Sequence, residues 1–262
     1  MKIVFVGSGN VAHFFAQRLQ FRGHEISQIY SRTKANGLAL SRITNAEVTD
    51  SLDQLKTDAD VYILAIKDDA LEEVAATLRL NNKVAVHCAG ALPVNILEQT
   101  TPNCAVIWSL YSVRKNNLPT LPDVPLVVEA SNAHTREIAL ELARDISDRV
   151  VEADYTQRAW LHLNAVLVNN FTNHLLAIAE TICKTQQLPF DILHPIIQQT
   201  IAQIKISSAL QNQTGPALRH DSATIRKHES LLQEYPEWQA LYSALTASIQ
   251  AGFNGELTMD NG

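Results

Sequence analysis

The chain opens with Met1-Lys2-Ile3-Val4-Phe5-Val6 and runs directly into Gly7-Ser8-Gly9-Asn10-Val11-Ala12, and this stretch decides the fold. The apolar run predicts a strand, and the apolar spacing after the glycines predicts a helix. Gly7 permits a tight turn, Gly9 has no Cβ to keep a pyrophosphate from the backbone, and Ala12 is small enough for the helix to pack on the strand. Unpaired N–H groups and the positive dipole end of the helix would bind the phosphates of a dinucleotide through residues 7–12. The alternative is a structural turn in a nucleotide-free relative of the fold.

The end of the second predicted strand, Ile26–Tyr30, bears on the choice of cofactor, because it is followed by Ser31, Arg32 and Thr33. NAD-binding folds usually place an acid about twenty residues beyond the glycines, whereas NADP binders need donors for a 2′-phosphate. A guanidinium flanked by two hydroxyls offers such donors. We therefore expect NADP rather than NAD as the cofactor. The alternative is that Arg32 is an ordinary solvated loop arginine.

The nearly unbroken apolar run Val61–Ile66 predicts a central parallel strand that is buried on both faces. Strands and helices alternate around it, which predicts an α/β fold with a doubly wound, mostly parallel Rossmann sheet. The ligand crevice of such a sheet lies at the carboxyl ends of the strands. We expect three segments to line it: Ala65–Lys67, with Ala65 and Ile66 on the cofactor, His87–Gly90 and Leu110–Ser112. Three prolines in Leu118–Pro125 predict an extended surface loop.

The periodicity becomes helical after residue 153. Nothing breaks a helix from Tyr155 to about Lys184, and helical patterns recur at residues 191–210, 222–233 and 237–252. We therefore expect a dinucleotide-binding domain at residues 1–153, an all-α dimerisation and substrate domain at 154–253, and a flexible tail at 254–262. The amphipathic helices carry more apolar surface than a small domain buries alone. This predicts a homodimer formed through the C-terminal helices.

A polar stripe on the long helix gives candidate catalytic residues. At 100° per residue, one stripe of the helix contains His162, Asn169, Asn173 and Glu180. The opposite face is apolar and is predicted to be buried; it contains Leu167, Val168, Phe171, Leu175, Ile178 and Ile182. His162 would donate a proton and the asparagines would fix the substrate; His87, after the fifth strand, is a further candidate donor. A structural hydrogen-bond network explains the stripe equally well. The Thr214–Asp221 turn is either a capped helix connection or a functional cluster.

Composition excludes several other classes of protein. The chain has 262 residues and a net charge of -6, which argues against an extended nucleic-acid or anionic-membrane surface. It has no apolar run of about eighteen residues and no signal-peptide pattern, so we expect no membrane association. Three separated cysteines fit reduced thiols and a cytoplasmic location. Metal-ligand spacing and the Gly-x-Ser-x-Gly hydrolase motif are absent from the sequence, so we expect no metal.

Five motifs occur in an order that is typical of a known family: Gly7–Ala12, Ser31–Thr33, Leu64–Ile66, His87–Gly90 and Gly215–Asp221. Over essentially its whole length the chain resembles bacterial Rossmann-like proteins with a helical C-terminal domain of unknown function, usually labelled putative NADP oxidoreductases. Its first domain is more distantly similar to pyrroline-5-carboxylate reductase, deazaflavin-dependent NADP oxidoreductase and the β-hydroxyacid dehydrogenases. The resemblance implies an NADP-binding domain and a helical dimerisation domain, but no substrate. The catalytic lysine of the β-hydroxyacid dehydrogenases has no counterpart in residues 160–173.

These observations predict an NADP-dependent oxidoreductase that transfers hydride between the nicotinamide and a small C=O or C=N substrate in a cleft between the domains. The alternative is a sensor or regulatory module that binds NADP without turnover. A proton donor within reach of the nicotinamide would distinguish the two.

Overall fold

The computed structural model describes residues 1–119 and 124–253. The chain forms two compact units, Met1–Asn170 and Phe171–Gly262. The division falls later than the predicted domain boundary at residue 153, which stays a prediction. The predicted loop at Leu118–Pro125 lies partly, and the predicted tail at 254–262 entirely, outside the described residues.

The described residues of the N-terminal unit form an eight-stranded sheet in the order β3-β2-β1-β4-β5-β6-β7-β8. The strands are β1 Lys2–Val6, β2 Glu25–Tyr30, β3 Glu47–Thr49, β4 Val61–Leu64, β5 Val84–His87, β6 Cys104–Ser109, β7 Leu126–Ala130 and β8 Val150–Glu152. The helices are α1 Asn10–Phe21, α2 Lys34–Thr44, α3 Asp68–Thr77, α4 Ala133–Ile146 and α5 Tyr155–Ala165, with 3₁₀ turns at Leu52–Gln54 and Val94–Leu97.

The sheet is parallel from β3 to β6, and β7 runs antiparallel to β6 before pairing in parallel with β8. Strands β4 and β5 are buried along their whole length, as central strands of a doubly wound sheet should be. The winding reverses between β1 and β4, which places the ligand crevice beside this pair. The predicted fold class is confirmed.

The long predicted helix does not form as a single α-helix. Its start is fixed by a capping box, in which Asp154 Oδ1 accepts from the Gln157 N–H at 2.8 Å. Beyond α5, however, Val166–Phe171 adopts a π-helix before α6 begins at Thr172. Because a π turn bonds residue i to i+5, it shifts every later position around the axis. The prediction that His162 and Asn173 share one 100° stripe is therefore wrong.

The C-terminal unit is helical, as predicted, with α6 Thr172–Thr185, a 3₁₀ turn Phe190–Leu193, α7 His194–Gln203, α8 Ser222–Leu231 and α9 Pro236–Phe253. Among its described residues, Cys183 and Ala217 are the only buried apolar ones. Of the apolar face that was predicted to be buried, Leu167, Val168, Phe171 and Leu175 are instead 41% to 74% exposed, and Ile178 and Ile182 are half-buried. In the described part of the chain, no helix has both the length and the hydropathy needed to cross a bilayer.

Candidate functional site

A cleft of about 700 Å³ lies at the carboxyl ends of β1, β2, β4 and β5. The loops after these four strands contribute to its wall, together with side chains of α2 and α3. The lining residues include Gly7, Ser8, Gly9, Asn10, Val11, Tyr30, Ser31, Arg32, Thr33, Asn36, Ala65, Ile66, Lys67, Asp68, Cys88 and Lys115. This is the edge at which a doubly wound sheet binds its ligand.

The two glycines of the β1–α1 turn have different roles. Gly7 has φ +119°, and a Cβ there would lie 2.3 Å from the carbonyl oxygen of Ala65, so this turn needs glycine for its own packing. Around the position of a Gly9 Cβ, by contrast, no described heavy atom lies within 4 Å. Ala12 lies outside the cleft and is fully buried against the sheet, where its small side chain allows α1 to approach β1.

The N-terminus of α1 faces this open space. No described side chain caps the helix, and its first turn carries no acidic residue. The leading N–H groups and the positive dipole end are thus available to an anion. Gly9 leaves room for that anion to reach the backbone, so the turn fits a pyrophosphate.

The end of β2 carries the groups that were predicted to select the cofactor. Arg32 and Thr33 are exposed and line the cleft, and Asn36 on α2 lines it beside them. Ser31 is different: it is buried, its hydroxyl donates to the Thr33 carbonyl at 2.9 Å, and its Oγ lies 2.8 Å from Ser8 Oγ. With its hydrogen engaged in this way, Ser31 orients the loop, and these contacts argue against the direct phosphate contact predicted for it.

The other half of the cleft lies beyond β1. Ala65, Ile66 and Lys67 follow β4, and Cys88 follows β5. Burial raises the pKa of the Cys88 thiol, which disfavours the thiolate form. The segment Leu110–Ser112, which was predicted to line the cleft, is not among the lining residues of the described cleft. Lys115, three residues further on, lines the cleft instead. The backbone N–H of Lys115 donates to Asn10 Oδ1 at 3.1 Å.

His87 is poorly suited to the proton-donor role predicted for it. It is fully buried, its Nδ1 accepts from the Ala89 N–H at 3.2 Å, and its Nε2 donates to the Pro93 carbonyl at 3.3 Å. Burial, and next the charge of Arg158, lower its pKa from 6.5 to about 4. The imidazole is therefore neutral and engaged at neutral pH, and the structure argues against His87 as a catalytic residue.

His162 has a more favourable position. It is half-buried on α5, and its ring packs edge-on against Trp108 with the ring centroids 5.5 Å apart. The same indole lies where a Cβ on Gly90 would be, only 2.5 Å from Trp108 Cε2. One aromatic ring thus separates His162 from the loop after β5. Asn169 in the π-helix and Asn173 on α6 are both exposed, and their predicted roles stay predictions.

An ion pair between the buried Arg158 and the half-buried Glu129, beside this loop, was missed by sequence reasoning. Arg158 on α5 is fully buried, and its Nη2 donates to Glu129 Oε2 at 2.5 Å. Its Nη1 donates to three carbonyls of the loop after β5. The available signal was Glu129, an acid that follows the apolar β7 residues Leu126–Val128 and is half-buried, a position that favours a cation nearby.

The turn from Thr214 to Asp221 has a clear structural role. Asp221 is the N-cap of α8, since its Oδ1 accepts from the Thr224 N–H at 3.1 Å. Hydrogen bonds from Thr224 lower the pKa of this carboxyl. Arg219 and His220 are exposed beside it. In residues 1–119 and 124–253 no group of three or more His, Cys, Asp or Glu side chains is arranged to hold a metal.

Two family models match the chain. Residues 2–90 match the family described as NADP oxidoreductase coenzyme F420-dependent, and residues 124–249 match a domain of unknown function, DUF2520. A curated relative, L-aspartate dehydrogenase of Methanocaldococcus jannaschii, is 33% identical over 97 residues, which span 35% of this chain and only 36% of that protein.

Solved structures match over nearly the whole chain. The putative NADP oxidoreductase BF3122 of Bacteroides fragilis is 34% identical with a TM-score of 0.87, covering 95% of this chain and 98% of that one. Protein TM1727 of Thermotoga maritima, 21% identical, has a TM-score of 0.72 over 96% and 98% of the two chains. An imine reductase of Myxococcus stipitatus in complex with NADP+, 13% identical, shares the fold with a TM-score of 0.67 over 97% and 94%.

These matches confirm the family resemblance noted in the sequence. The chain belongs to the same family as the Bacteroides fragilis putative NADP oxidoreductase, with an NADP oxidoreductase domain at residues 2–90 followed by a DUF2520 domain at residues 124–249.

Proposed function

We propose that this protein is an NADP-dependent oxidoreductase that transfers hydride between the nicotinamide and a small substrate with a C=O or C=N bond. One observation carries the proposal: a single cleft at the switch point of the sheet joins the uncapped N-terminus of α1 to the exposed Arg32. A dinucleotide needs an anion site for its pyrophosphate, and NADP needs a second one for its 2′-phosphate. The family of NADP oxidoreductases to which the chain belongs supports the same function.

Each part of the cleft has a proposed role. The turn at Gly9 and the first N–H groups of α1 would bind the pyrophosphate, and Arg32 with Thr33 and Asn36 would bind the 2′-phosphate. The nicotinamide half would then extend past the switch point toward Ala65, Ile66 and Cys88. The cofactor supplies the hydride when bound. The chain binds and orients the cofactor and the substrate, and it provides a proton.

We propose His162 as the proton donor, because it is half-buried and lies one ring away from the loop after β5. A protonated imidazole can give a proton to the oxygen or nitrogen on which negative charge develops. Asn169 and Asn173 remain proposed to orient the substrate, in a cleft between the domains. His87 is no longer part of this proposal.

Cofactor binding tests the proposal directly. NADPH should bind more tightly than NADH, and Arg32→Ala should remove at least most of the difference, since the guanidinium is proposed to bind the 2′-phosphate, which NADH lacks. Arg42→Ala, on the exposed C-terminal end of α2 and outside the cleft, is the matched control and should retain the preference. Equal affinities of the unmodified protein for the two cofactors would contradict the NADP assignment.

Turnover distinguishes the enzyme from a sensor. NADPH consumption should be detectable with at least one member of a panel of small imines, ketones and aldehydes, and His162→Gln should lower kcat without weakening NADPH binding. Tight NADPH binding with no turnover over the whole panel would favour the sensor instead.

We also propose that the protein acts as a homodimer in the cytoplasm. The described residues of the C-terminal unit bury almost no apolar side chains, while Leu188, Ile192, Ile196, Ile201 and Ile206 are each at least 50% exposed. A second copy would cover this surface. The three free cysteines support a reducing compartment. A monomeric mass by light scattering at micromolar concentration would contradict the dimer.

A further inference from the structure

One guanidinium holds the loop that follows β5. Nη1 of Arg158 donates to the carbonyl oxygens of Ala89 at 3.3 Å, Gly90 at 2.8 Å and Leu92 at 2.7 Å. Three carbonyls converge on one nitrogen, so the backbone must curl around it. This loop continues directly from Cys88, which lines the cleft.

The loop is held from its other sides as well. A Cβ on Gly90 would lie 2.5 Å from the indole of Trp108, so the backbone is pressed directly onto that ring. The Ala89 N–H donates to the neutral His87 ring at 3.2 Å. The path of residues 89–92 is therefore fixed by a cation, an aromatic face and an imidazole together.

Stability alone is a poor explanation for this arrangement. Burying an arginine beside a half-buried glutamate has a desolvation penalty that their attraction often fails to offset, and apolar residues of similar volume are frequently as stable or more so. Arg158 is fully buried, and among the described residues its Nε has no hydrogen-bond partner. What an apolar pair lacks is the rigid guanidinium, whose Nη2 binds Glu129 while its Nη1 sets the positions of three carbonyls.

We propose that Arg158 is a positioning residue for the nicotinamide half of the cleft: paired with Glu129, it fixes the loop at residues 89–92 and hence the place of Cys88 on the cleft wall. The inference rests on the proposed function, because it assumes that the cleft takes NADP. The strand order supports the location, since β5 belongs to the mononucleotide half on the far side of the switch point from Arg32.

The test compares two probes that occupy different halves of the cleft. NADPH would occupy both halves of the cleft, whereas adenosine 2′,5′-bisphosphate would occupy only the half that binds the adenosine. The double variant Arg158→Met with Glu129→Gln removes the clamp without leaving one buried charge alone. It should bind NADPH about tenfold more weakly, a change of about 1.4 kcal/mol, and alter the fluorescence of bound NADPH. Its affinity for the bisphosphate should stay within about twofold of the unmodified value.

Two further variants make the result specific. Arg136→Met with Glu152→Gln removes an exposed ion pair between α4 and β8 and is the matched control, which should bind both probes normally. Arg158→Lys keeps the positive charge beside Glu129 but loses the planar guanidinium. It should weaken the binding of NADPH and leave that of the bisphosphate unchanged. It also provides the measurement if the double variant does not fold.

Unchanged NADPH affinity and fluorescence in folded Arg158 variants would overturn the inference. Equal weakening of both probes would also overturn it, because that result indicates general structural damage. Binding of neither probe by the unmodified protein would contradict the proposed function, and the inference with it.

Discussion

Acid should destabilise the N-terminal unit through His87 well before most carboxyl groups are protonated. The buried ring has a folded-state pKa of about 4 against an ordinary value of 6.5, because burial and the charge of Arg158 disfavour the imidazolium. Above pH 6.5 both states hold a neutral ring, and the full stability is present. Between pH 6.5 and 4 the unfolded chain binds a proton that the folded chain does not, so stability falls with pH. The shift corresponds to a loss of about 3 kcal/mol from this one residue.

The assay is urea unfolding across this pH range, with the protein and His87→Asn measured in parallel. Asparagine offers an oxygen near Nδ1 for the Ala89 N–H but does not titrate. The variant should be less stable than the unmodified protein at pH 7. Between pH 6.5 and 4 its free energy of unfolding should fall less steeply than that of the unmodified protein, and the two slopes should differ by about 1.4 kcal/mol per pH unit. Three other carboxyls with lowered pKa values, Asp58, Glu152 and Asp221, also contribute to acid destabilisation. They are common to both proteins and cancel in the comparison.

The control for this experiment is His220→Asn, which replaces an exposed histidine at φ 52° with a residue that tolerates the left-handed region. It should retain the pH dependence of the unmodified protein. If His87→Asn retains that dependence too, the reasoning from burial is refuted.

Three further predictions follow from contacts described above. Gly7→Ala should lower the free energy of unfolding by at least about 2 kcal/mol, because the new Cβ would lie 2.3 Å from the Ala65 carbonyl oxygen at a residue with positive φ. Gly9→Ala should leave stability unchanged and weaken NADPH binding about tenfold or more. A normal NADPH affinity for the folded Gly9 variant would show that no phosphate lies there. Gly90→Ala should cost about 1–3 kcal/mol and shift the near-UV circular dichroism of Trp108, and an unchanged spectrum would contradict the predicted clash. Ile192→Asp, at a residue 70% exposed on the proposed dimer surface, should convert a dimer to monomers in light scattering if the C-terminal helices form the interface, and a stable dimer would place the interface elsewhere.

Local sequence was sufficient for the dinucleotide-binding half of the fold. The turn at Gly7 and the cleft position of Arg32 depend on residues that are close in the chain, where spacing and strand periodicity predict geometry. Ser31 shows the limit even there. Its hydroxyl is engaged by Ser8, twenty-three residues away, a contact that no local pattern reveals.

The second half of the candidate site depends on contacts between distant segments. Arg158 binds carbonyls 66 to 69 residues earlier in the chain, and it changes the electrostatics of His87, which the sequence presents only as a histidine after a strand. The π-helix at Val166–Phe171 likewise has no sequence signal, because each of its residues is compatible with an α-helix. Periodicity alone therefore placed the polar stripe incorrectly.

The scarcity of buried apolar side chains in the C-terminal unit has a consequence for biosynthesis. As the chain emerges from the ribosome, the sheet can complete a hydrophobic core of its own before the last helices are made. Those helices then bury little of their apolar surface within their own unit, since Cys183 and Ala217 are the only buried apolar residues described there. If a second copy covers these helices, the final stage of folding is bimolecular. The yield of active protein should then depend on the local concentration of newly made chains. It should also depend on chaperones that shield the helices until two chains meet.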